Sequence, residues 1–141
     1  MKFEECIDKG LIKKDPGATG RVDNSLKIAE RFLKSARKNL ETEEYEMTEI
    51  AAYNSGFHSA RALLFAKGYT ERSHYCLGVA LKCLYKKDEI IKALNTFDKI
   101  RLSRHNVMYG GTLITGEEAE FVIKFAEEFL EIVKKQLNLG G

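Results

Sequence analysis

The sequence contains a single proline, Pro16, in 141 residues, and no long uninterrupted run of apolar residues. Because proline disrupts helix interiors, its scarcity together with abundant Ala, Leu, Glu and Lys favours an all-helical chain. A membrane-spanning helix needs about 20 consecutive apolar residues, and no stretch approaches that length. The N-terminus, M-K-F-E-E-C-I-D, is acidic and lacks the apolar centre of a signal peptide. We therefore expect a cytoplasmic protein without a membrane segment.

The chain also lacks a large excess of charge of either sign. Its formal net charge is +2, with 31% charged and 44% hydrophobic residues. This balance is typical of a soluble domain, and it argues against general binding to nucleic acids or membranes. Any electrostatic attraction for a ligand must therefore be local. The length suits one domain with one core.

Cysteine is scarce, and no C-x-x-C pair is present among Cys6, Cys76 and Cys83. The spacing does not supply the ligand pairs of a zinc site. The only glycine-rich stretch near a helix start lacks the Lys-Ser/Thr of a phosphate-binding Walker loop. We expect neither a metal nor a cofactor, and we interpret the cysteines as reduced, small apolar residues of the core.

Apolar residues recur at steps of three and four along most of the chain, which predicts amphipathic helices. A short helix is predicted within residues 3–12, and residues 13–23 form a break that contains Pro16. The longer helices are predicted at about 26–40, 47–67, 74–85, 88–104 and 117–137. This order predicts an all-α, up-and-down bundle of four or five helices. Residues 1–24 would form the N-terminal short helix and loop, and residues 25–138 the bundle.

Several residues are suited to mark the ends of these helices. Asn24 or Ser25 would cap the helix at 26–40, and Thr70 or Ser73 the helix from 74. Gly68 would end the helix at 47–67, and Thr115-x-x-Glu118 forms a capping box before the last helix. The break includes Gly17-Ala18-Thr19-Gly20, which matches the G-x-x-G of KH-type RNA loops. Since no sheet is predicted, we interpret this segment as a surface loop.

The stretch 101–111, R-L-S-R-H-N-V-M-Y-G-G, concentrates chemically active side chains at the end of a predicted helix. No acidic residue occurs between Asp98 and Glu117, so the cations lack a nearby sequence partner. This pattern predicts an anion-binding site. An alternative is that the arginines only cap the C-terminus of their helix. The candidate residues of this stretch are Arg101, Arg104, His105, Asn106 and Tyr109.

A second group of candidates lies on the helix predicted at 47–67. Tyr53, His58 and Arg61 are close enough along that helix to line one pocket and contact a ligand. In the structural alternative, Arg61 pairs with a carboxylate and His58 hydrogen-bonds to a backbone carbonyl. The sequence leaves both interpretations open.

The string Y-N-S-G-F-H-S-A-R-A-L-L-F-A-K-G-Y at 53–69, followed by His74 and by Arg104…Tyr109, resembles the HEPN domain family. The resemblance covers about residues 25–137. It implies a bundle of four or five helices that is usually a homodimer. It also implies a frequent partner, a minimal nucleotidyltransferase, with the HEPN protein acting as the toxin of the pair. Many members are metal-independent endoribonucleases that use an R-x(4–6)-H motif with a polar residue after the arginine.

The motif is incomplete in this chain. Arg104 matches the motif arginine and His105 the polar position, but Tyr109 stands where the closing histidine belongs. Arginine can stabilise phosphate charge, and histidine can transfer protons near neutral pH. Tyrosine, with a reference pKa of about 10, is a poor base. The motif therefore predicts phosphate binding with impaired proton transfer.

Three functions remain open on this basis. In the first, the protein binds a nucleotide or RNA phosphate as the toxin-like partner of a minimal nucleotidyltransferase, with weak or no nuclease activity. In the second, it is an active metal-independent endoribonuclease toxin that uses Arg104 and His105 across a dimer cleft. In the third, it is a helical interaction module without a ligand.

Overall fold

The computed structural model describes residues 1–140, with the side chains of residues 1–138. Helices form about 80% of the chain, which confirms the predicted all-α bundle. None of the helices in the described range combines the length and the apolar character required to cross a bilayer. In chain order the elements are α1 (Phe3–Asp8), β1 (Ile12–Lys14), a 3₁₀ helix (Pro16–Arg21), α2 (Val22–Glu41), α3 (Tyr45–Ala66), β2 (Tyr69–Glu71), α4 (His74–Leu84), α5 (Asp88–Tyr109) and α6 (Gly116–Gly140).

Helix α3 is the centre of the bundle and packs against α2, α4, α5 and α6. Its buried positions include many small residues, among them Ala52, Ser55 and Ala60. Gly56 shows why small residues are needed, since a Cβ atom added there would lie 3.0 Å from the ring of Phe97 on α5. The close approach of α5 to α3 therefore depends on a residue without a side chain.

The N-terminal segment contains a small sheet that the sequence did not predict. Strands β1 and β2 pair antiparallel, with Ile12 opposite Glu71 and Lys14 opposite Tyr69. The sheet was missed because three-residue strands are too short to show a period of two. The stretch interpreted as a surface loop, residues 17–20, is exposed at Gly17, Thr19 and Gly20, but it forms part of a 3₁₀ helix. The G-x-x-G stretch lies in the 3₁₀ helix, where the Asp15 carboxylate accepts a hydrogen bond from the Gly17 amide at 3.1 Å.

The predicted helix ends are only partly correct. Helix α2 begins at Val22, so Asn24 and Ser25 do not cap it. The Ser25 hydroxyl instead donates to the carbonyl of His58 at 2.8 Å and ties α2 to α3. Ser73 caps α4 by accepting the Cys76 amide. At the start of α6, the Thr115 hydroxyl accepts the Glu118 amide, as the capping box predicts.

The cysteines differ from the prediction. Cys6 and Cys76 are fully buried, as expected, but they form a disulfide that joins α1 to α4. Cys83 is a free thiol on the surface rather than a core residue. The bonded pair is separated by 70 residues. Local spacing therefore could not reveal the pairing, which depends on how α1 folds back onto the bundle.

Candidate functional site

Tyr53 lies at the point where α3, α4 and α5 meet. The side chain is 1% exposed, and its ring stacks on Phe97 with 5.0 Å between centroids. Its hydroxyl oxygen is 2.6 Å from Nδ1 of His74. Burial raises the pKa of Tyr53 to about 12, although the nearby cations Arg104 and Arg101 oppose the rise. The phenol is therefore protonated at neutral pH and available as a hydrogen-bond donor.

His74, the first residue of α4, completes this contact. Its ring stacks on Phe57 with 4.2 Å between centroids. Burial lowers the pKa of His74, and the positive charges of Arg104, Arg101 and Arg61 lower it further. A neutral imidazole next to a protonated phenol accepts the Tyr53 hydrogen at Nδ1, which leaves the ring proton on Nε2.

Arg104 reaches across from α5 and lies over the face of Tyr53, with Cζ 4.6 Å from the ring centroid. Its Nη1 is 3.2 Å from the sulfur of Met108, and its Nε is buried without a hydrogen-bond partner. No carboxylate of the described residues lies within ion-pair distance of this guanidinium. The cation is held by an aromatic face and its charge is not neutralised, so it suits an incoming anion.

Arg101, one turn earlier on α5, is different. Its Nη2 lies 3.0 Å from Oδ1 of Asp98, so the expectation that it lacks an acidic partner was wrong. Asp98 is the residue just before the acid-free stretch, three positions from Arg101, a spacing at which helix side chains meet. Arg101 nevertheless contributes positive charge to the surroundings of Tyr53 and His74.

Of the candidates on α3, Arg61 pairs with a carboxylate, as the structural interpretation predicted, whereas His58 packs on an aromatic ring. Arg61 pairs with Glu71 of β2, with 2.7 Å between Nε and Oε1, and lies over the rings of Phe57 and Phe65. The imidazole of His58 stacks on Phe32 of α2, with 5.6 Å between centroids. Burial lowers the pKa of His58, and the charges of Arg61 and His74 add to this effect. These residues form the wall beside His74 rather than an open cation cluster.

The remaining candidates on α5 face the solvent. His105 and Tyr109 lie one turn apart with their rings 4.9 Å apart, and Tyr109 is 70% exposed. Asn106 is exposed as well. The structure thus divides the stretch 101–111 into an inner face with Arg101 and Arg104 and an outer face with the other three. The Arg104 side chain lies over Tyr53, whereas His105 is exposed to solvent.

Sequence reasoning did not assign His74 to the site. The residue stood in the string that resembles the HEPN family, but its position at a helix start gave no link to Tyr53, 21 residues earlier. Only the packing of α4 on α3 brings the two together. We refer to Tyr53, His74, Arg101 and Arg104 as the inner cluster.

Comparison with known proteins places the chain in a family. The model of the HEPN domain matches residues 22–136, which span α2 to most of α6. The chain is also 28% identical over 134 residues to a Methanocaldococcus jannaschii protein described as a candidate toxin. That alignment covers 92% of this chain and 97% of the archaeal protein. The family match extends over most of the chain, and the chain therefore belongs to the HEPN domain family.

Proposed function

We propose that this protein is a toxin-like HEPN component that binds a phosphate group of RNA or of a nucleotide through Arg104. One observation carries the proposal: Arg104 lies on a phenol face without a carboxylate partner among the described residues, while its Nε has no hydrogen-bond partner. A guanidinium binds phosphate through two parallel hydrogen bonds, and its planar shape suits stacking on an aromatic ring. The description of the archaeal relative as a candidate toxin supports the same assignment.

The surroundings of Arg104 favour an anion. Tyr53 and His74 are neutral at neutral pH, and the charges of Arg101 and Arg61 are balanced by Asp98 and Glu71, so Arg104 is the cation of this group without a carboxylate partner among the described residues. Since the whole chain carries only +2, this attraction is confined to the inner cluster. A site of this kind would bind a phosphate within a short stretch of RNA rather than coat nucleic acid along its length.

Nuclease activity is weak or absent in this proposal. The R-x(4–6)-H motif closes on Tyr109 instead of histidine, and a tyrosine with an ordinary pKa of about 10 transfers protons poorly near pH 7. The alternative is an active endoribonuclease in which His105 of one chain meets Arg104 of another. The exposed position of His105, on the outer face of α5, favours that alternative over cleavage within one chain.

We further propose a homodimer that forms near the end of α5 and associates with a minimal nucleotidyltransferase in the cytoplasm. Large apolar side chains are exposed along this segment and the loop after it: Leu102, Met108, Tyr109 and Leu113. Their burial against a second copy would remove apolar surface from water and place both Arg104 residues near the dimer axis. Light scattering of the purified protein tests the dimer, and co-purification with the neighbouring gene product tests the partner.

The binding proposal is tested with a fluorescent single-stranded RNA and the Arg104→Ala variant. We expect a rise in Kd of about tenfold and a smaller dependence of binding on salt, since one phosphate contact is lost. Arg31→Ala, which removes an exposed arginine of α2, is the matched control. Equal weakening by both variants would show that binding is nonspecific and would contradict the proposal.

The nuclease alternative requires a separate experiment. The protein is expressed without its partner, and growth and RNA integrity are followed for the wild type, Arg104→Ala and His105→Ala. Growth arrest with cleaved RNA that both variants abolish would establish the endoribonuclease. Intact RNA in the wild type, with binding to RNA retained, would support the binding function.

A further inference from the structure

A cavity of about 640 Å³ lies between α3, α5 and α6. This volume falls in the range of small-molecule sites. Its lining differs from the inner cluster, because it contains three carboxylates and a single cation. The lining includes Glu49, Lys99, Ile100, Glu117, Glu118 and Phe121.

Glu49 is the unusual member of this lining. The residue is 1% exposed, and its Oε2 is buried without a hydrogen-bond partner among the described residues. Burial raises the pKa of Glu49, the charges of Glu118 and Glu46 raise it further, and the hydroxyl of Ser103 opposes them. A buried carboxylate oxygen without a hydrogen-bond donor costs free energy. A ligand that donates a hydrogen bond to Oε2 of Glu49 would remove this cost.

The rest of the cavity indicates the chemistry of that group. Glu117 and Glu118 add negative charge, and only Lys99 opposes it, so an anion would be repelled. Apolar surface is available from Ile100 and from Phe121, whose side chain is 59% exposed. A cation on an aliphatic stem would satisfy both features, since its head would meet the carboxylates and its stem the apolar wall.

We propose that this cavity binds an organic cation, an ammonium or guanidinium group on an aliphatic stem, with Glu49 as the buried counter-ion. The site is distinct from the phosphate site, because none of Tyr53, His74, Arg101 and Arg104 lines the cavity and its lining favours a ligand of the opposite charge. The cation belongs either to a free polyamine or to an arginine side chain of a protein partner. The two sources differ because only the arginine carries a peptide backbone.

The test is calorimetric titration of the full chain with spermidine and, separately, with N-acetyl-argininamide at low ionic strength. We expect saturable binding of one of the two, and its identity names the source. Glu49→Gln keeps the shape of the side chain and removes its charge, and it should weaken binding at least about tenfold. Glu120→Gln, an exposed position on α6, is the matched control and should bind like the wild type.

Two further measurements keep the test decisive if Glu49→Gln does not fold. Phe121→Ala changes an exposed residue of the cavity wall, so it should keep the thermal midpoint and weaken binding. Binding to the wild type should also weaken as the pH is lowered, because the cation favours the charged form of Glu49. The titratable groups beside Glu49 are Glu46 of the same helix, Lys99 of α5, and Glu117 and Glu118 of α6. Failure of both probes to bind at millimolar concentration, or unchanged binding by Phe121→Ala and Glu49→Gln, would overturn the proposal.

Discussion

Arg61 and Arg104 both lie over aromatic rings of α3, but only Arg61 has a carboxylate partner. Arg61 contacts the rings of Phe57 and Phe65 and pairs with Glu71 at 2.7 Å. Arg104 contacts the ring of Tyr53 and the sulfur of Met108, and none of the described residues supplies it with a carboxylate partner. The comparison shows how one bundle uses the same residue in two ways. A paired arginine stabilises the fold, while an arginine held only by an aromatic ring retains its charge for a ligand.

The largest expected difference between the two arginines is in stability. Arg61→Ala leaves the Glu71 carboxylate, whose side chain is 6% exposed, without its cation. We expect a loss of about 2 kcal/mol in the free energy of unfolding, less than for a fully buried pair because Arg61 is one-third exposed. Arg104→Ala should cost less than about 1 kcal/mol, since it leaves no unpaired acid. Urea unfolding of both variants measures the difference, and equal losses would contradict this division of roles.

A smaller effect is expected from the support beneath Arg104. Tyr53→Phe keeps the ring but removes the hydroxyl that bonds to His74, which should cost about 1 kcal/mol in unfolding free energy. Because the aromatic face remains, RNA binding through Arg104 should be unchanged. Tyr53→Leu removes the face as well and should weaken both stability and binding. If Tyr53→Phe reduced RNA binding as strongly as Tyr53→Leu, the hydroxyl rather than the ring would support Arg104.

The sequence predicted the bundle because the buried side of a helix requires apolar residues at steps of three and four, and many residues follow this pattern. Features that depend on one contact between distant segments were not visible in the pattern. The sheet, the Cys6–Cys76 disulfide and the Tyr53–His74 bond all belong to this class. The acid-free stretch predicted that Arg104 lacks an acidic partner, which holds among the described residues, but the same reasoning applied to Arg101 was wrong. Its partner Asp98 lies three residues away, at a spacing that sequence alone allows one to check.

The pH dependence of folding sharpens the comparison further. Because the pKa values of His74 and His58 are lowered in the folded state, the unfolded chain binds protons more readily as pH falls below about 6.5. Their contribution to stability is therefore fully present above pH 6.5 and is lost as pH falls towards the folded-state pKa values. The urea midpoint of the wild type should fall between pH 7.5 and pH 6, and that of His74→Gln should fall less over the same range.

The smallest expected effect is a change in the pKa values of two histidines, because each arginine acts mainly on a different one. Arg104 is the largest charged contributor to the lowered pKa of His74, whereas Arg61 is the largest for His58. In NMR titrations, Arg104→Ala should raise the pKa of His74 more than Arg61→Ala does, and only Arg61→Ala should raise that of His58 directly. If Arg104→Ala left the pKa of His74 unchanged, the guanidinium of Arg104 in the wild type would not lie beside the His74 ring in solution. The proposed phosphate site would then lose its geometric basis.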